Sequence, residues 1–130
     1  MTELIIEHTA LYAEDPEAVR DFFVQYLCGH SDEGYHNQKT GFHSYFISFD
    51  KGARLEIMNR PGMSARDHSG CLTGYNHVAF SVGSRENVNE LTDQLRKAGF
   101  TVRSGPRITG DGYYESSIVA VEGNLIEITV

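Results

Sequence analysis

At 130 residues and 14.5 kDa the chain is long enough for one domain with a real core and too short for two ordinary ones. Hydrophobic residues make up 40% and charged residues 22%, a globular composition that excludes disordered and fibrous classes. Eighteen acidic against eleven basic residues give a formal charge of −7, which opposes attraction to nucleic acid or anionic lipid. No apolar run approaches the ~20 residues that cross a bilayer, and MTELIIEHTA has neither the basic start nor the long apolar stretch of a secretory signal. A soluble, cytoplasmic, single-domain protein is the expectation. Cys28 and Cys71 form neither a disulfide framework nor a CxxC motif, and both read as reduced packing residues.

In chain order, the first strand is IIEHTALYA. Asp15 then reads as an N-cap with Pro16 at the first helical position, where its missing N–H costs nothing. Val19, Phe22, Phe23, Tyr26 and Leu27 follow at helical spacing, and Gly29 is the expected stop. The polar, weakly patterned stretch from His30 to Thr40 reads as loop or irregular strand. His43 to Phe49 and Ala53 to Met58 are short, aromatic and β-branched, as strands are. Arg60 to Gly74 joins this half to a second one, which opens on the strand GYNHVAFSV. There Ser84 caps a helix with the stripe Val88, Leu91, Leu95 and Ala98, ending at Gly99. Strands are expected over Thr101 to Ser104, Tyr114 to Val121 and Leu125 to Val130.

The two halves repeat one another. His8 falls on His77 at an offset of 69, while Gly41-Phe42 falls on Gly112-Tyr113, and Leu55-Glu56-Ile57 on Ile126-Glu127-Ile128, at an offset of 71. Each half therefore runs strand, helix, three strands. The expected fold is α+β, one domain over residues 1–130 built from two tandem βαβββ modules, about 4–60 and about 74–130.

Strand alternation sends every second side chain to one face. Thr9 and Leu11 lie opposite His8, Ala10 and Tyr12; Leu55 and Ile57 lie opposite Arg54, Glu56 and Met58. In the second half Val78, Phe80 and Val82 oppose His77, Ala79 and Ser81, and Ile126, Ile128 and Val130 oppose Leu125, Glu127 and Thr129. With the apolar faces under the helices, both His and both Glu project from the other side. A pseudo-twofold axis would gather His8, Glu56, His77 and Glu127 into one cluster. Neighbouring carboxylates repel unless a cation separates them, and two imidazoles with two carboxylates suit a divalent ion: Zn, Ni, Co, Mn or Fe(II). A lone His on a strand is ordinarily structural and a lone Glu ordinarily solvated. That plainer assignment is kept for His30, His36, His43 and His68, which have no repeat partner, and it would require coincidence in both halves for the four paired residues.

At these residues the chain resembles the vicinal oxygen chelate superfamily, and within it glyoxalase I and the glyoxalase/bleomycin-resistance/dioxygenase proteins. The likeness rests on His8, Glu56, the GYNHVAFSV segment with His77, and the closing EGNLIEI with Glu127. The DPEAVRDFFVQYL helix, the KAGF turn and the GPRITGDGYYES stretch are also similar. The resemblance implies paired βαβββ modules in a half-open barrel around one metal, usually in a homodimer, with modules paired within a chain or exchanged between chains. It also implies a metal-dependent lyase or isomerase acting on a hemithioacetal or related vicinal-oxygen substrate through an enediolate. Glu127 or Glu56 would carry the proton, with Glu127 slightly favoured. Tyr12, Phe42, Tyr45, Met58 and Tyr113 are candidates for the pocket wall. Two alternatives stay open. His8, His77 and Glu127 alone would make an Fe(II) triad for extradiol-type dioxygenation, against which Glu56 argues by filling a position oxygen needs. A metal-independent protein sequestering a cationic, bleomycin-type drug would suit the acidic charge.

Overall fold

The computed structural model describes residues 3–68 and 70–130. The chain divides into two compact units at the Arg66–Asp67 bond. In the first, β1 (His8–Tyr12) leads to α1 (Pro16–Tyr26), then to the two-residue strands β2 (His30–Ser31) and β3 (Tyr35–His36), and to β4 (His43–Ser48) and β5 (Arg54–Asn59). The sheet order is β1-β5-β4-β2, with β3 also on β4. In the second, β6 (His77–Ser81), α2 (Arg85–Lys97), β7 (Thr101–Ile108), β8 (Tyr114–Val119) and β9 (Leu125–Thr129) give the order β6-β9-β8-β7. A single 3-10 turn, Val121–Gly123, links β8 to β9. In both units the first strand runs parallel to the last and the other pairings are antiparallel. The stretch from His30 to Thr40 thus contributes two strands of minimal length.

The helix caps are those the sequence indicates. Asp15 Oδ1 accepts a hydrogen bond from Ala18 N–H at 3.0 Å and Ser84 Oγ one from Asn87 N–H at 3.1 Å. The end of α1 differs from expectation. The left-handed residue is Cys28, at φ 56°, one place before Gly29. Gly29 answers a different need, since a Cβ there would lie 2.5 Å from Ile47 Cγ2, so its lack of a side chain lets the helix exit close onto the sheet.

Each sheet buries one face under its own helix. Val19, Ile47 and Ile57 are fully enclosed in the first unit, and Val88, Leu95, Ile118 and Ile128 in the second. The buried stripe of α2 is Val88, Thr92 and Leu95, whereas Leu91 is only half-buried and Ala98 is exposed. Thr92 can enter the core because its hydroxyl is satisfied. It donates to Val88 O at 2.6 Å, so the 2.7 Å contact with Ser116 Oγ is one in which Ser116 donates. β7 runs on past Ser104 to Ile108, with register shifts on either side of Ser104. Pro106 is accommodated because β7 is the edge of its sheet, where a missing N–H removes no ladder bond on the open side. No helix among the described residues is long and apolar enough to cross a membrane.

Candidate metal centre

The parallel pairing of first and last strands builds the same two-residue constellation in each unit. On β1 and β5, His8 stands opposite Arg54 and Ala10 opposite Glu56; on β6 and β9, His77 stands opposite Leu125 and Ala79 opposite Glu127. The His therefore precedes by two residues, on the same face, the strand neighbour of the Glu. That neighbour is alanine both times, short enough for imidazole and carboxylate to meet across it. His8 Nε2 lies 3.8 Å from Glu56 Oε1, and His77 Nε2 lies 3.2 Å from Glu127 Oε2. Both carboxylates are largely covered, at 17% and 22% side-chain exposure, while both imidazoles are more open.

The other ring nitrogen of each His is held by the residue just before it. Glu7 Oε1 lies 3.3 Å from His8 Nδ1, and Asn76 Oδ1 lies 2.8 Å from His77 Nδ1. The partner at Nδ1 orients each ring so that Nε2 faces the Glu, as outer-shell partners orient a metal-binding imidazole. Glu7 and Asn76 escaped the sequence reading. Their shared offset of 69, the same as that of the histidines, is the signal that marks them.

The surroundings differ. Beside Glu56 stands Phe46, its direct cross-strand neighbour, whose ring meets His8 edge-on at 5.4 Å. Arg54 stacks over Phe46 at 4.1 Å and forms a two-pronged ion pair with Glu7. Hydrogen bonding to that guanidinium holds the Glu7 carboxyl below the usual carboxylate range. The position equivalent to Phe46 in the second unit is Ser117, opposite Glu127. There an open hollow is lined by Ala79, Asp111, Tyr113, Glu115, Glu127 and Thr129. Burial pushes the Glu115 carboxyl up, and the charge and hydrogen bonding of Glu127 beside it push further in the same direction.

Of the expected wall residues, Tyr12 and Met58 stand opposite each other on the His8–Glu56 face, and Tyr113 lines the Glu127 hollow. Phe42 sits just before β4 with its ring against Tyr35 at 6.2 Å. Tyr45 is a correction. It pairs with Ile57, on the helix side of the sheet, and is 7% exposed, so it walls nothing on the Glu56 side. Its hydroxyl donates to Glu17 Oε1 at 3.1 Å; burial first, and that bond next, raise its pKa.

As placed, no three His, Cys, Asp or Glu side chains among the described residues form a ready-made metal cage. The donors come as two matched pairs. Each pair offers one imidazole and one carboxylate, a donor set that fits a divalent ion of the Zn, Ni, Co, Mn or Fe(II) group.

The sequence model of the Glyoxalase/Bleomycin resistance protein/Dioxygenase superfamily matches residues 5–128. The chain belongs to this superfamily. Among members of this glyoxalase group, a glyoxalase family protein from Bacillus cereus superposes with a TM-score of 0.81 at 17% identity, covering 99% of this chain and 95% of its own. The trypanothione-dependent glyoxalase I of Leishmania major gives 0.78 at 18%, over 98% and 86%. Lactoylglutathione lyase from Agrobacterium tumefaciens gives 0.70 at 19%, over 99% and 95%. These likenesses show the fold, the α+β arrangement of tandem βαβββ units. In sequence the chain is 26% identical over 112 residues to the uncharacterized protein YqjT of Bacillus subtilis (strain 168), covering 84% of this chain and 85% of that one.

Proposed function

We propose that this chain is a metal-dependent lyase or isomerase of the glyoxalase I kind, acting on a hemithioacetal or a related small molecule with vicinal oxygens. The observation that supports it is the twin His–Glu pair, set in the same register and anchored at the same nitrogen in both units. His8, Glu56, His77 and Glu127 would together hold one divalent ion, in a homodimer whose modules pair within or between chains. When bound, the ion supplies Lewis-acid stabilisation of the negative charge that builds up on vicinal oxygens as a carbon-bound proton leaves.

The protein's own part is proton handling and positioning. Glu127 is the better candidate for the base. It borders an open hollow, whereas the cross-strand neighbour of Glu56 is the bulky Phe46. A carboxylate at Glu127 takes the proton from one carbon and returns it to the next. Asn76 keeps the His77 ring oriented, and Glu7 does the same for His8. Tyr113 supplies an apolar wall with a polar tip on the hollow's rim.

The test is elemental analysis of protein purified without chelator and offered Ni, Co, Zn, Mn and Fe(II) in turn, followed by assay with the hemithioacetal of methylglyoxal. A tightly held ion is expected that His77→Ala loses, with Glu127→Gln lowering kcat by about 10²–10⁴-fold. Metal content unchanged by His77→Ala sinks the reading. A second reading has its own support: Asp111, Glu115 and Glu127 make the hollow acidic, as the sequestration of a cationic drug would require. Drug binding that survives chelation and His77→Ala would favour it.

A further inference from the structure

The β7–β8 connection reads Thr109-Gly110-Asp111-Gly112-Tyr113 and carries two of the six residues that line the Glu127 hollow, Asp111 and Tyr113. Asp111 is bracketed by glycines, and a Cβ built on either would meet nothing within 4 Å beyond its chain neighbours. Gly112 is also left-handed, at φ 93°. A backbone with that freedom and no packing around its glycines does not hold two side chains in place unaided. Local hydrogen bonds have to do it.

The half-buried Thr109 supplies them. Its N–H donates to the Tyr113 carbonyl at 2.8 Å, and its carbonyl accepts from Gly112 N–H at 3.0 Å. Those backbone bonds close the turn whatever side chain stands at 109. The hydroxyl adds what only threonine or serine offers. It accepts from Tyr113 N–H at 3.0 Å and donates its single proton to Asp111 Oδ1. The Tyr113 carbonyl, 3.3 Å from that hydroxyl, is the weaker claimant because the Thr109 N–H already serves it. One oxygen is thus tied to both lining residues. The first half holds its matching turn differently. Asn37 Oδ1 accepts from Lys39 N–H at 3.0 Å and from Thr40 N–H at 3.2 Å, while Thr40 Oγ1 accepts from Phe42 N–H at 3.2 Å. Two side chains share the work there, and the aromatic ring rests on Tyr35. In the second half one hydroxyl does both, and what it holds borders the hollow beside Glu127.

We propose that Thr109 is a positioning residue for substrate binding. It sets the β7–β8 turn as the recognition edge of the Glu127 hollow, so that Asp111 and Tyr113 meet the part of the substrate away from the reacting carbons. The proposal rests on the glyoxalase-like reading of Glu127. The experiment measures kcat, KM, metal content and Tm of the full chain, with the methylglyoxal hemithioacetal of glutathione or, where that is inert, of 2-mercaptoethanol. Thr109→Val keeps the side-chain shape and loses the hydroxyl. It should raise KM about tenfold, the scale of one lost hydrogen bond. Its kcat should change less than about threefold and its metal content not at all, the split that marks lost binding rather than lost chemistry. Thr109→Ser should restore KM, and Thr40→Val in the first half's turn should leave it alone. In a chain already carrying Asp111→Ala and Tyr113→Ala, Thr109→Val should add nothing, because the side chains it acts through are gone. An unchanged KM in Thr109→Val, a Thr109→Ser protein equally impaired, an equal rise in Thr40→Val, or a full further loss in the stripped chain overturns the proposal. A Thr109→Val chain that does not fold overturns it too, since the residue then serves the fold itself. A wild type that turns over neither hemithioacetal overturns both this and the reading beneath it, whereas the other failures leave that reading standing.

Discussion

The two halves of this chain share a topology and a His–Glu pair, yet they finish that pair in opposite ways. In the first half Glu56 faces Phe46, and the nearby charges, Glu7 and Arg54, neutralise one another in an ion pair. In the second half the same strand position is Ser117, and Glu127 borders an open hollow together with Asp111 and Glu115. The helix side diverges too. Tyr45, which pairs with Ile57, corresponds to Ser116, which pairs with Ile128. Phe23 is a buried aromatic, while the second helix buries Thr92. The two halves agree in what the strand register dictates and differ in the side chains around it. An aromatic ring stands across from one Glu and a serine across from the other.

The sharpest way to break that comparison is Ser117→Phe, which gives the second half the first half's wall. It should lower turnover about a hundredfold by displacing substrate from the Glu127 hollow. Metal content should stay unchanged, as elemental analysis beside the kinetic assay would show. Asn76→Ala removes the Nδ1 anchor of His77 and should weaken metal affinity about 10–100-fold; Glu7→Gln should do less, because an acceptor remains for His8. Competition with a chelator of known affinity measures both.

Thr92→Val tests the divergence under the helices. It leaves the Ser116 hydroxyl buried without its acceptor and should cost about 1–3 kcal/mol in denaturant unfolding. Adding Ser116→Ala should recover part of that loss, since the two residues act as one unit. The smallest effect concerns Glu115. Its carboxyl is raised in the folded metal-free protein, so the native state binds that proton more tightly than the unfolded chain. Stability is therefore lost as pH rises through the usual carboxylate pKa toward the raised one. Glu115→Gln should remove this dependence, giving a higher Tm than the wild type at neutral pH and none of that advantage in acid.

Much of this was legible in the sequence, for identifiable reasons. The histidines and glutamates stood out because two copies of one pattern could be laid over each other, and alternation then gave their faces. Asp15 and Ser84 were legible because capping is local. What escaped depended on neighbours in space. Tyr45 was read as pocket wall because aromatic residues suit a pocket, whereas its odd register with Ile57 turns it to the helix. Thr92 went unnoticed in favour of Ala98 because nothing local says that Ser116 lies beneath it. The pairing of His36 with His43 was invisible for the same reason: two-residue strands carry no periodicity.

The register of first and last strands also bears on how each unit folds. His8 and Glu56, like His77 and Glu127, lie at opposite ends of their units and meet only through a parallel pairing, whose cost in chain entropy is met late. Everything between them, the helix and the antiparallel strands, can assemble through shorter loops. Arg54 N–H donates to the Glu7 carbonyl at 2.9 Å at the end of the strand pair where that closure lies in the first unit. A His–Glu pair thus exists only in a unit whose last strand has docked, and a cation bound across it would act as a clasp on the step that completes the sheet.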